Sequence, residues 1–375
     1  MTDALAPADT LDEPVLPPDP SQEAAVPGTA PAARRGGSLG RYIAVRFLLI
    51  FPTIFILVTT VFFLMRMTGD PITAAMGGRL PPDQLAERVH AAGYDRPLIV
   101  QYLDYLSKIV RGDFGNTFTD NRPVINVLTT YGSATAELVI YSLIVAFAIG
   151  VPLGMVAAHK RDKWPDAVLR VFAILGYATP VFFIGLVLKL VFSIYLGVLP
   201  VSGRISTSGE VQMGTITNPS PFYLLDALRL GSPSLILDVL SHAVLPAIAL
   251  GLLTGGVFLR LVRTNLIGTL ERQYVESARS RGVSETRLVR THALRPALIP
   301  VITVMGMQIA MSLGGAVLTE TTFEWKGLGF QLAQYMSARD YVAVQGIVMM
   351  IAVIVAVTNF VVDVVAALID PRVRY

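Results

Sequence analysis

IAVRFLLIFPTIFILVTTVFFLM, running from Ile43 to Met65, carries a single charge, Arg46. A helix of this length reaches about 35 Å at 1.5 Å per residue, enough to cross roughly 30 Å of hydrocarbon. No small-residue cleavage site follows it, so it reads as a retained span and not as a removed signal peptide. Working outward, further apolar segments fall at 134–157, 168–196, 239–262, 297–319 and 343–369. The whole chain agrees, with 53% apolar and 15% charged residues and a mean hydropathy of +0.59, where soluble chains carry about a quarter charged residues. The expected fold class is an all-α polytopic membrane protein with six transmembrane helices.

Proline and glycine are tolerated in such helices when neighbouring protein satisfies the freed backbone. Gly150, Pro152 and Gly154 predict a bent, closely packed second span, and Pro233, His242 and Pro246 interrupt the start of the fourth. Ahead of the first span, residues 1–40 hold seven prolines and little to bury, the composition of a disordered tail. The remainder, 41–375, reads as one transmembrane domain.

Basic residues set the orientation. Eighteen of the thirty Lys and Arg residues lie before or at the start of the first span (Arg46 included), in 160–170, in the arginine-rich loop 263–295 with Arg260 at its edge, or at the C-terminal end. The positive-inside rule then places both termini and that loop in the cytoplasm, which six spans satisfy and five or seven do not. The outward segments become 67–133, 197–238 and 320–342. Within the first, Leu85–Tyr94 and Ile99–Val110 have helical spacing, with Leu98, Tyr102, Leu103, Tyr105, Leu106 and Ile109 as the apolar set, and predict small helices over the outer mouth. The 197–238 segment, punctuated by Gly203, Gly209, Gly214, Pro219 and Pro221, reads as loop, with the length of a lid or docking surface.

The cytoplasmic loop is more structured than a connection needs. Leu270 to Arg281 has no breaker and predicts a helix, which Gly282 stops by supplying a positive φ. Ser284 suits the N-cap of a second helix, with Val283 and Leu288 spaced as a hydrophobic staple and Arg295 near its membrane end before Pro296. Glu276 is spaced to pair with Arg279 and with Arg272. Tyr274, Val275, Ala278 and Leu288 have no evident membrane face, and a small apolar surface among charges suits docking. A plainer reading remains: any cytoplasmic loop gathers arginines and any turn needs a glycine.

Other chemistry is sparsely marked. With no cysteine there is neither a disulfide nor a thiolate site, and His90, His159, His242 and His292 are isolated. Gly and Lys never adjoin in that order, so no phosphate-cradling loop exists, and no catalytic or metal-ligating motif is present. The chain is therefore expected to have no catalytic, cofactor or metal residues and to be no enzyme by itself. Nothing points to nucleic acid. Gln308, mid-span, is a candidate path residue or an interhelical hydrogen-bonding group. Asn359 and Asp363 share a face of the sixth span and suggest interhelical or interfacial contacts, and Lys189 has the length to snorkel outward.

Glu276-Ser-Ala-x-x-x-Gly282 resembles the Glu-Ala-Ala-x-x-x-Gly loop in the membrane subunits of bacterial ABC importers. His292-Ala-Leu-Arg-Pro-Ala-Leu-Ile-Pro300 is similar to the dipeptide/oligopeptide/nickel permease branch. So are Gly112-Asp113-Phe114-Gly115-Asn-Thr and Glu320-Thr-Thr-Phe-Glu-Trp325-Lys-Gly327-Leu-Gly329. The resemblance covers 41–375. It implies a type I importer permease of the bacterial inner membrane, paired with a second homologous permease, with two ATPase subunits at the cytoplasmic loop and an extracytoplasmic solute-binding protein or lipoprotein above. ATP and Mg would be bound by the ATPases and not by this chain. The implied cargo is dipeptides or short oligopeptides moved by alternating access; nickel, glutathione or another small solute is the alternative within the branch, and a secondary transporter or membrane assembly scaffold the alternatives outside it. The resemblance implies coupling roles for Tyr274, Glu276, Ala278, Gly282, Arg279 and Arg281. Ala278 is expected against the ATPase, Glu276 as an anchor, and the two arginines against acidic ATPase residues or membrane lipids. Gly112, Asp113, Gly115, Glu320, Trp325, Gly327 and Gly329 are the outward family motifs. Ser277, Glu324 and Lys326 depart from the family pattern, as does the long N-terminal tail.

Overall fold

A computed structural model of the chain describes residues 39–369 apart from Arg79. Most of the proline-rich tail, 1–38, and the last six residues lie outside the described residues, as does the placement of either terminus. The described residues form helices joined by turns and loops, with one isolated bridge between Asn116 and Pro123. In chain order the helices are α1 (Leu39–Met67), α2 (Pro71–Met76), α3 (Pro82–Ala91), α4 (Leu98–Val110), α5 (Val124–His159), α6 (Trp164–Ala178), α7 (Val181–Leu188), α8 (Thr207–Met213) and α9 (Tyr223–Leu230). Next come α10 (Pro233–Leu270), α11 (Gln273–Ser280), α12 (Glu285–Arg287), α13 (Leu294–Phe323), α14 (Leu328–Ser337) and α15 (Tyr341–Ile369).

Among the described residues, five helical stretches are long and apolar enough to cross a membrane: α1, α5, α10, the continuous run Glu285–Phe323, and Tyr341–Val365 of α15. A sixth span exists only if α6 and α7 with its continuation to Tyr195 count as one, and that pair is bent by 106°. The expectation of one helix over 168–196 is thus corrected. The break falls at Thr179-Pro180, where Thr179 takes an extended ψ of 133°. Pro180 cannot donate to the preceding turn, and its ring drives the residue before it out of the helical region. Pro246 does not act this way: α10 runs unbroken over 38 residues.

α10 forms the centre, packed on α5, α6, α7 and α13, while α1 lies at the periphery against α15. Gly150 and Gly154 let α5 approach α10 closely, as expected of that stretch. A Cβ on Gly150 would lie 2.7 Å from Phe258 Cβ, and one on Gly154 2.8 Å from Val262 Cβ. Small residues four apart allow such contact where lipid offers no hydrophobic drive for helices to associate. Gly154→Ala is expected to cost about 1–3 kcal/mol by overpacking. Gly268→Ala, where a Cβ would meet nothing within 4 Å, is expected to be neutral or to gain up to about 1 kcal/mol. Thermal unfolding of the two variants in detergent separates these outcomes, and equal melting would refute the close-packing account.

The segment 67–133 does hold small helices. Tyr102 of α4 hydrogen-bonds Thr59 of α1 at 2.6 Å, and Phe62 packs on the Tyr102 and Tyr105 rings. The 197–238 segment is not plain loop: it contains α8 and α9. Buried Glu137 of α5 holds it down, accepting from Arg204 at 2.5 Å and from the Leu224 N–H at 3.3 Å. Asp363 pairs with Arg46 of α1 at 3.3 Å, the interhelical role expected for it. Lys189 does not snorkel outward; it donates to the Thr322 carbonyl in the last turn of α13 at 3.0 Å, where a cation suits the helix dipole.

Candidate functional site: the knob after α10 and the lock at the far end of α13

Between α10 and α13 the chain forms a compact projection. α10 ends at Leu270, and α11 starts at Gln273 after an extended Arg272. The first short helix is therefore 273–280, not 270–281. Gly282, at φ +81°, stops it. Its N–H donates to the Arg279 carbonyl at 2.9 Å, and the Val283 N–H reaches back to Ala278 at 3.3 Å. These two bonds form a Schellman motif, which satisfies carbonyls the helix end would otherwise leave orphaned. Ser284 is extended and its carbonyl accepts from Arg287 and Leu288, but its hydroxyl makes no capping bond.

The second short helix does not end before Pro296. α12 passes through π-helical turns at Leu288–Ala293 directly into α13, so Glu285–Phe323 is one helix of 39 residues. The wide turns precede Pro296, which has no N–H to offer the carbonyl four residues back.

Burial corrects the reading of the surface. Val275, Ala278 and Leu288 are 0%, 2% and 0% exposed and, with Val283 and Leu270, form the projection's own core. Ala278 thus lies buried where α11 packs against Leu288 and not on the projection's exposed face. At 3.6 residues per turn, turning 275 and 278 inward turns 273, 276, 277 and 280 outward and leaves 274 on the flank. Glu276, Ser277 and Ser280 are indeed exposed, as are Tyr274, Arg281 and Gly282. Arg279 is drawn into a bridge across the glycine turn. Its Nε donates to Glu285 at 2.6 Å and its Nη1 lies 3.5 Å from Glu276. The Glu285 carboxylate raises the Arg279 guanidinium above its ordinary value. Glu276 makes no pair with Arg272 among the described residues, while Arg281 Nε donates to the Ser277 carbonyl at 3.2 Å. Val289 and Ala293 pack with Ala158 of α5 and Leu266 of α10, so the knob is tied to three long helices. An open groove of about 1170 Å³, lined by Asn265, Gly268, Tyr274, Pro296 and Pro300, runs beside it.

At the opposite end of α13 the Glu320–Gly329 motif is a buried lock. Glu320 is 0% exposed and accepts from Thr135 Oγ1 of α5 at 2.6 Å and from the Phe330 N–H at 2.9 Å. Trp325, the largest fully buried side chain, donates through Nε1 to the Ala134 carbonyl at 2.8 Å. Gly327 leaves room for the Glu320 carboxyl, which a Cβ there would meet at 2.4 Å. Glu324 and Lys326, the two departures from the resemblance, are the exposed residues of this turn. Gly112 and Gly115, both at positive φ, frame the turn from α4 to α5, with Asp113 Oδ1 accepting from the Gly115 N–H at 3.0 Å. Nearby, burial and the Asp120 carboxylate push the Tyr335 phenol up to about 12. It stays protonated and donates to Asp120.

The knob and the lock are distinct places, joined by α13. Gln308, midway between them, is only 7% exposed. The buried Thr254–Ser312 hydrogen bond between α10 and α13, at 3.2 Å, escaped the sequence reading because both residues are common in helices.

Residues 150–375 match the family model described as the binding-protein-dependent transport system inner membrane component, and 39–139 match the corresponding N-terminal model. The chain is 39% identical to the di/tripeptide transport system permease protein of Pseudomonas aeruginosa (strain UCBPP-PA14), over 89% of this chain and 98% of that one. It is 35% identical to the dipeptide transport system permease protein of Escherichia coli (strain K12), over 89% and 99%. It is 33% identical to the glutathione transport system permease protein of Salmonella choleraesuis (strain SC-B67), again over 89% and 99%.

Proposed function

Because this chain belongs to the family of binding-protein-dependent transport system inner membrane components, the multi-pass, non-enzymatic permease subunits of ABC importers, we propose that it carries dipeptides or short oligopeptides across the bacterial inner membrane. In this reading the knob faces the cytoplasm with both termini and the bent α6–α7 pair is the third of six spans. A second homologous permease completes the path, two ATPase subunits seat on the knobs, and an extracytoplasmic solute-binding protein delivers cargo at the lock end. The similarity to the di/tripeptide permease along nearly its full length supports the choice of cargo.

The observation that carries the coupling role is that the knob has a core of its own and is continuous with α13. A helix of 39 residues is about 58 Å long, so a push on the exposed Tyr274, Ser277 and Arg281 face is delivered as rigid motion to the Glu320 lock. ATP-driven closure of the two ATPases would bias two arrangements of the permease pair, outward-open and inward-open, through that contact. Glu276 and Arg279 serve as braces within the knob, and Gly282 sets its turn. Gln308 keeps its place as a candidate path residue.

Affinity purification of tagged full-length chain from its native membrane in mild detergent tests this. The wild type is expected to recover an ATPase subunit and a second permease. Ser277→Arg, which bulks the exposed face without touching the knob core, and Gly282→Arg, which forces a side chain to positive φ at about 1–2 kcal/mol, are expected to lose the ATPase and keep the permease. Wild type recovered without any ATPase would overturn the coupling reading. Uptake of a labelled dipeptide competed by unlabelled dipeptide, and not by glutathione, is the expected cargo result. Preferential competition by glutathione would instead favour the second reading, which the 33% identical relative supports.

A further inference from the structure

On the knob side of the bundle, a groove of about 350 Å³ runs between α6, which contributes Arg170, Ala173 and Ile174, and α10, which contributes Leu259, Arg260 and Arg263. Arg263 is committed: its Nε and Nη2 hold the fully buried Asp166 carboxylate at 2.5 and 2.7 Å. Asp166 is thereby used up, and Arg170, 3.7 Å away with its side chain 52% exposed, is only weakly compensated. Arg260 makes no ion pair among the described residues and stacks over the Tyr177 ring at 5.7 Å. The groove therefore carries about two unbalanced positive charges. Its level is that of a membrane boundary, since Arg260 and Arg263 flank the end of the apolar segment 239–262 and Arg170 the start of 168–196. Around it α6 exposes Val168, Val171, Ile174 and Leu175, and Trp164 at its first turn is 77% exposed. Exposed tryptophan beside apolar surface marks the headgroup layer.

We propose that this groove binds the phosphodiester headgroup of an anionic phospholipid. Arg170 and Arg260 take the non-bridging phosphate oxygens, for which the guanidinium fork is suited, and Ile174 and Leu259 take the first methylenes of the acyl chains. Basic pockets between transmembrane helices are suited to such headgroups, each cation near the surface contributing about fivefold in affinity. The site requires only that the chain crosses a membrane, so its failure would leave the transport reading untouched.

Native mass spectrometry of the full chain, with phosphatidylglycerol or phosphatidylcholine added to the detergent, tests the assignment. Phosphatidylglycerol is expected to be retained more tightly than phosphatidylcholine. Arg170→Gln/Arg260→Gln should weaken phosphatidylglycerol about thirtyfold, and Arg170→Lys/Arg260→Lys should restore part of that loss. Arg88→Gln/Arg111→Gln, removing two charges from the opposite end, should bind as wild type. Arg263 is left intact, because removing it would orphan Asp166. Equal retention of the two lipids, or an unaltered affinity in the Gln pair, would overturn the proposal. So would inorganic phosphate stabilising the chain against heat as much as phosphatidylglycerol does, since the groove would then take free phosphate.

Discussion

Arg263→Ala is expected to destabilise the chain by about 3–5 kcal/mol, towards the lower end because Arg170 is close enough to approach the vacated carboxylate. Asp166 has no exposed surface, and its two oxygens are held by the Arg263 fork and by the Asp162 N–H. Removing the guanidinium leaves a buried charge with poor compensation, whereas replacing both partners removes the problem. Asp166→Leu/Arg263→Leu is therefore expected to recover most of the loss. Thermal unfolding of the wild type, the single variant and the pair in one detergent checks this. A single variant that melts with the wild type would mean that the clamp between α6 and α10 contributes nothing.

Trp325→Ala is expected to cost about 3–5 kcal/mol and to loosen α5 from α13 at the lock end. The indole fills the space among Ala134, Leu138, Leu250 and Phe323. In lipid the loss is mainly one of packing, because an emptied site keeps no partner atoms. Trp325→Phe retains most of the volume and forgoes the bond to Ala134, for about 1 kcal/mol. Glu324→Ala and Lys326→Ala, on the exposed side of the same turn, should stay within about 0.5 kcal/mol of the wild type. Melting temperatures ordered otherwise, with Trp325→Ala no worse than Lys326→Ala, would show that the motif is not a structural lock. If the lock also transmits motion along α13, Trp325→Ala should uncouple uptake from ATP hydrolysis at temperatures where the protein remains folded.

The knob shows where legibility stops. Gly282 as a helix stop and Val283 with Leu288 as a staple could be read from the letters, since positive φ and short-range spacing are properties of a few adjacent residues. Which face of α11 lies inside could not. By residue type Val275 and Ala278 suit a docking surface, but Leu288 and Leu270 cover them. The break at Thr179-Pro180 was also written in the sequence, but the same letter at Pro246 leaves α10 unbroken, and only the surrounding helices distinguish the two. α8 and α9 were missed because each is no more than eight residues long, too short for periodicity to stand out from loop composition.

The sequence by itself determined the membrane class, five of the six expected long helices, the small helices α3 and α4 and the position of the knob. These follow from transfer free energies and backbone preferences that each residue carries wherever it is placed. The tertiary structure alone decided the pairings. Arg263 meets Asp166 across 97 positions and Glu320 meets Thr135 across 185, and no local preference specifies either. Such contacts depend on how α10 brings α5, α6 and α13 together, through close approach at Gly150 and Gly154 that becomes visible only once the opposing Phe258 and Val262 are in place.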